Sequence, residues 1–126
     1  MYPEDRISMS EALGSFLRER REALRATDPR YSVRQVAERV GIEPSYLSKV
    51  ERGIGSPPAE ETLVRLAREL GLDADVVLAL AGKVSSDLQE AIRKRPQLFA
   101  ELIRTVRDAP DQAVLRLVRE VRDGEW

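Results

Sequence analysis

Between Val33 and Arg52 the chain carries two short apolar patterns split by a glycine and a proline, VRQVAERV-GIE-PSYLSKVER. Such a segment has few options besides two helices meeting at a tight corner. Val36, Ala37 and Val40 recur at helical spacing, and Gly41 follows them, where a left-handed backbone ends a helix at little steric cost. Ser32 is placed to cap the first helix, and Gln35 completes a capping-box spacing. Pro44 suits the first turn of the next helix, because its missing N–H would have no partner there. Leu47 and Val50 then face inward, Ile42 plugs the corner, and Ala37 is small where the second helix passes. Ser45, Tyr46, Ser48, Lys49 and Arg52 point elsewhere.

Composition removes most alternatives to a binding role. There is no cysteine and no histidine in the 126 residues. Disulfides, thiolate nucleophiles, His-based triads and the usual zinc sites are therefore excluded. No Asp-rich calcium loop or Gly-rich phosphate loop is present. The close acidic pairs, Glu60-Glu61 and Asp73/Asp75, fall at expected helix starts, where the helix dipole explains them. The expectation is a protein that is not an enzyme and uses no cofactor or metal. No apolar run approaches the roughly 18 residues of a membrane span. The start MYPEDRISMS lacks a basic region and an apolar region, so no membrane association and a cytoplasmic location are expected.

The formal net charge is −1. From Phe16 to Arg52, however, nine cations face six anions. That modest excess spans the first helix and the two-helix segment, whose outward hydroxyls, ring and cations suit a nucleic-acid groove.

Every periodic segment reads as helix, and the expected fold class is all-α. The first helix begins near Ser8 or Ser10 and buries Leu13, Phe16, Leu17 and Leu24, with Thr27-Asp28-Pro29 at its end. The fourth runs from about Ala59 to Leu70, and the fifth from Asp73 or Asp75 to Ala81. A junction at Gly82-Lys83-Val84-Ser85-Ser86 separates a domain over 8–82 from a C-terminal region over 83–126. That region holds three further patterns: Asp87 to Lys94, Pro96 to Arg107 and Asp111 to Arg122. Their apolar positions call for a covering surface: the first domain, each other, a second copy, or another protein.

The runs Leu17-Arg18-Glu19-Arg20-Arg21, Ser32 through Ile42 and Ser45-Tyr46-Leu47-Ser48-Lys49-Val50-Glu51-Arg52-Gly53 resemble the phage-repressor-like (Xre/Cro) helix-turn-helix family. Pro58 to Leu63 and the helix ending Leu80-Ala81-Gly82 continue the likeness, which covers residues 10 to 82. The resemblance implies a five-helix lambda-repressor-like domain that binds a palindromic double-stranded DNA operator as a homodimer, its third helix in the major groove. It implies a transcriptional regulator, with repression as the expected outcome. Carried over residue by residue, base-edge contacts fall on Pro44, Ser45 and Lys49. Phosphate contacts fall on Arg21, Arg34, Tyr46 and Arg52. Glu51 takes the place of a carboxylate that pairs with a first-helix arginine, here Arg21, as a structural pair.

The sequence also departs from that pattern. Glu43 stands where a hydroxyl or Asp cap is usual, and Val33 where many relatives place Gln. The loop from Gly53 to Pro58 lacks a basic residue, leaving backbone N–H groups of Gly53 to Ser56 to meet a phosphate. The link Arg25 to Arg30 is longer than usual by about five residues, either for an added contact through Arg25 or Arg30 or as a tolerated insertion. Three roles stay open for the C-terminal helices: dimerisation, control through a partner metallopeptidase, and, as the alternative function, toxin binding by an antitoxin whose N-terminal domain autoregulates.

Overall fold

The computed structural model describes residues 8–126. Among them there are helices and no strands, so the fold is all-α. Two units separate, one ending at Ser85 and the other Ser86–Trp126.

The first unit contains α1 (Met9–Arg25), α2 (Val33–Val40), α3 (Pro44–Glu51), α4 (Glu60–Leu70) and α5 (Ala74–Leu80). Ser8 caps α1, its hydroxyl accepting from the Glu11 N–H at 3.0 Å. Leu13, Leu17 and Arg21 follow at helical spacing and are all buried, while Phe16 and Leu24 are only half-buried. The core unites these leucines with Val36, Ala37 and Val40 of α2, Leu47 and Val50 of α3, the inner face of α4, and Val77, Leu78 and Ala81. Each fully buried leucine contributes about 1.5–3 kcal/mol relative to exposure. Two arginines reach across the helices and donate to last-turn carbonyls that lack a partner within their own helix. Arg20 Nε donates to Leu70 O at 2.8 Å, and Arg65 Nη1 to Val40 O at 3.2 Å.

The corner between α2 and α3 closes as its residues require. Gly41 adopts φ +86°, and its N–H and that of Ile42 return to the Ala37 carbonyl. Ile42 packs half-buried against the core. Only half of the capping box forms at α2. The Ser32 hydroxyl accepts from the Gln35 N–H at 3.2 Å, but the Ser32 N–H donates to the Pro29 carbonyl. Pro29 belongs to an element absent from the sequence reading, a 3-10 turn over Pro29–Tyr31. Asp28 caps this turn and receives a two-pronged contact from Arg30. The hydrogen bonds from Arg30 hold the Asp28 carboxyl down at about 2. This clasp is intact at neutral pH and is lost only as pH falls through that value.

A close backbone approach lies elsewhere, where α1 crosses the end of α3. A Cβ built at Gly14 would sit 2.4 Å from Val50 O and 2.6 Å from Glu51 O. Gly14→Ala therefore forces the two helices apart. It is expected to lower unfolding free energy by about 1–3 kcal/mol, read from urea denaturation, despite alanine's better helix propensity.

The first unit runs to Ser85 rather than stopping at Gly82, because Lys83 N–H still bonds Leu78 O at 2.9 Å and Ser85 is buried. The second unit comprises α6 (Ser86–Lys94), α7 (Pro96–Val106) and α8 (Asp111–Asp123). It has no buried residue. On α7, Phe99 and Val106 are half-covered while Leu98, Leu102 and Ile103 are bare. On α8, Val114 and Leu117 are half-covered while Leu115, Val118 and Val121 are bare.

Candidate nucleic-acid interface

Helix α3 sorts its side chains onto two faces. Leu47, Val50 and Glu51 are turned inward and buried. Ser45, Lys49 and Arg52, spaced i, i+4 and i+7, share the outward face, with Pro44 and Tyr46 exposed beside them. Pro44 occupies the first turn, and Glu43 is the cap residue with no side-chain hydrogen bond to the helix start. The missing donor at Pro44 thus costs the helix nothing, and the exposed Glu43 leaves a negative charge at the start of α3.

The inner face is fixed to α1 by a buried ion pair. Arg21 Nε donates to Glu51 Oε2 at 2.6 Å and Arg21 Nη2 to Glu51 Oε1 at 2.9 Å. Arg21 Nη1 donates to Tyr31 O at 3.1 Å, and Nη2 also reaches Glu22 Oε1 at 3.1 Å. The Glu51 hydrogen bonds raise the Arg21 pKa further, so its charge is permanent. This geometry corrects one expectation. With its guanidinium 3% exposed and so engaged, Arg21 presents no surface to a phosphate. It fastens α3 to α1 from the inner side.

Cations elsewhere divide in the same way. Arg30 is paired with Asp28, and Arg39 with Glu69. Among the described residues, Arg34, Lys49 and Arg52 take no part in an ion pair, and the Arg52 side chain donates to Ser48 O, a carbonyl of its own helix. These three carry positive charge that no ion pair neutralises, with Glu38 and Glu43 as exposed anions on the same two helices and their junction. The loop after α3 offers less than its sequence promises. The N–H groups of Gly53 and Ile54 are already bonded to Val50 O and Lys49 O, and Ser10 Oγ ties down the Gly55 carbonyl. Only the part of the loop beyond Ile54 is left to offer main-chain donors outward.

Two supporting residues went unmarked in the sequence reading. Gly14 sets the distance between α1 and α3, and a glycine inside an otherwise helical pattern was its available signal. Tyr31 lies in the long link and had no periodic signal at all. No helix of the described residues is long and apolar enough to cross a membrane, and no group of metal-capable side chains gathers among them.

Comparison with known proteins places this arrangement. Two curated relatives, the uncharacterised HTH-type transcriptional regulators MT0491 and Rv0474 from two strains of Mycobacterium tuberculosis, are each 42% identical over 69 residues. The match covers 55% of this chain but 45% of each relative, so the chain spans less than half the length of those proteins. Among solved structures, the clp gene regulator ClgR from Corynebacterium glutamicum aligns with 29% identity and a TM-score of 0.47, over 76% of this chain and 90% of that one. Residues 12–80, which include every helix of the first unit except the first three residues of α1, match the helix-turn-helix domain family. The match takes in more than half of the sequence, and the chain belongs to that family.

Proposed function

We propose that this protein is a cytoplasmic, sequence-specific DNA-binding transcriptional regulator without catalytic activity. It acts as a homodimer on a palindromic operator and represses by occupying it. The observation that carries the reading is the outward face of α3, where Ser45 and Lys49 lie in line and positive charge that no ion pair neutralises sits beside them. Lys49 reaches guanine O6 or N7 and Ser45 supplies one hydrogen bond, with Pro44 against the base edges. Arg34, Tyr46 and Arg52 hold the backbone and set register.

The test is sequencing of the genomic fragments that the purified full chain retains. Paired half-sites about one helical turn apart are expected, with binding that falls steeply as salt rises. Two variants separate the roles. Lys49→Ala should narrow the gap between operator and mismatched sites by about 1–3 kcal/mol, whereas Arg52→Ala should weaken all sequences alike and reduce the salt slope by about 1. Absence of binding to any fragment at low salt defeats the reading.

The bare stripes of α7 and α8 support a second reading, an antitoxin whose C-terminal helices cover a toxin while the first unit binds its own promoter. The same helices also suit a repressor switched off by a metallopeptidase. Neighbouring reading frames and co-purification with their products decide between these.

A further inference from the structure

Tyr31 ties together elements on both sides of the long link. Its carbonyl accepts from Arg21 Nη1, and the same guanidinium grips Glu51 at the end of α3. Its ring lies beneath the Arg39 guanidinium of α2, 5.2 Å from centroid to charge centre. Arg39 in turn pairs with Glu69 of α4. A single residue thus contributes main chain to the α1–α3 contact and side chain to the α2–α4 contact.

We propose that Tyr31 is a positioning residue for the reading helix. The lever is Arg21. Its Nε and Nη2 edge is occupied by Glu51, with Glu22 also on Nη2, so it is the opposite Nη1 corner that keeps freedom to tilt about that edge. The Tyr31 carbonyl engages the other nitrogen and removes that freedom. If the carbonyl withdrew, a buried N–H would lose its partner, and the cost would be relieved by rotation of the guanidinium. Glu51 would move with it, and Lys49 lies two residues away in the last turn of the same short helix. The carbonyl holds its place because the 3-10 turn is clamped at both ends, by Asp28 with Arg30 and by the stacked Arg39. Because Glu69 already fixes Arg39, the ring meets a pre-ordered cation instead of a mobile side chain. The long link therefore works as a brace and not as a tolerated excursion.

The DNA arm of the test rests on the function proposed above, and the first arm does not. Amide hydrogen exchange of the full chain is compared for Tyr31→Ala, Arg39→Ala and Tyr31→Phe. Both alanine variants are expected to speed exchange in α3 by about five-fold more than in α5, and the phenylalanine variant to match wild type. The double alanine variant should be no worse than the worse single one. Exchange that rises equally in α3 and α5, or stays unchanged in α3, overturns the proposal, because Tyr31 would then be ordinary packing. Should Tyr31→Ala not fold, Arg39→Ala gives the same reading with the ring in place. In the second arm, Tyr31→Ala should bind operator about five-fold more weakly while binding random DNA as before. A wild-type chain that binds no DNA overturns the regulator reading alone, since exchange still decides the role of Tyr31.

Discussion

Replacing Arg21 with Ala is expected to destabilise the first unit by about 3–5 kcal/mol, the largest single-residue effect in its polar contacts. The reason lies in what remains. Glu51 is 8% exposed, and its two oxygens are met by Arg21 at 2.6 and 2.9 Å. Without Arg21 a carboxylate is left in a nearly dry site between α1 and α3, close to the carbonyl ends of α3 that already crowd Gly14. Truncation also strips the Tyr31 carbonyl of its donor. For a unit of this size the loss lowers the thermal midpoint by more than about 12 °C, followed by far-UV circular dichroism. The paired substitution Arg21→Met with Glu51→Leu should recover most of the loss, because removing both charges ends the desolvation penalty that breaking the pair exposes. A single-variant cost below about 1 kcal/mol would mean that the pair is hydrated like a surface bridge, and this account of the helix contact would fail.

The contrast between these residues shows what the sequence disclosed. The α2–α3 corner was legible because its signals are local: Gly41 and Pro44 punctuate two apolar patterns, and Ser32 caps the first. The eight helical segments could likewise be read from periodicity, with ends displaced by a residue or so where Ala59 and Asp73 act as caps. The pairing of Arg21 with Glu51 could not, since nothing in spacing links residues thirty apart; it came from family likeness. The same likeness assigned Arg21 to a phosphate, because a list of positions carries no burial. Tyr31 and Gly14 escaped notice for a related reason. Their roles exist only once helices far apart in sequence are brought together. Arg34, Tyr46, Lys49 and Arg52 emerge exposed, as a contact surface requires.

On the homodimer proposed above, Val118→Glu, in the middle of the exposed α8 stripe, is expected to convert the dimer into a monomer and to weaken operator binding by about 100-fold or more. The stripes themselves supply the reasoning. Residues Ser86–Trp126 form a unit with no buried residue, yet α7 and α8 each carry one apolar face whose residues are only half-covered or fully exposed. Leu98 is 63% exposed, Ile103 54%, Leu115 51% and Val121 57%. Such surface is costly to leave in water and marks an interface. A second copy is compatible on charge, since residues 86–126 hold eight cations and eight anions and would not repel their twin. Joining two reading heads makes the second binding event intramolecular, and that gain, about 10²–10⁴ in avidity, is what the variant forfeits. A glutamate at position 118 would have to be desolvated to enter the interface. The sole tryptophan, Trp126, reports the event: its ring is 89% exposed and its N–H bonds the Val121 carbonyl, so association should shift its emission to the blue and dilution should reverse it. Leu98→Glu on α7 should act likewise, and retained helicity in both variants excludes unfolding of the unit. Sedimentation then decides. A wild-type chain that sediments as a monomer at tens of micromolar, with Trp126 emission independent of concentration, would rule out the second copy. The open stripes of α7 and α8 would then belong to a different protein, as the antitoxin reading requires.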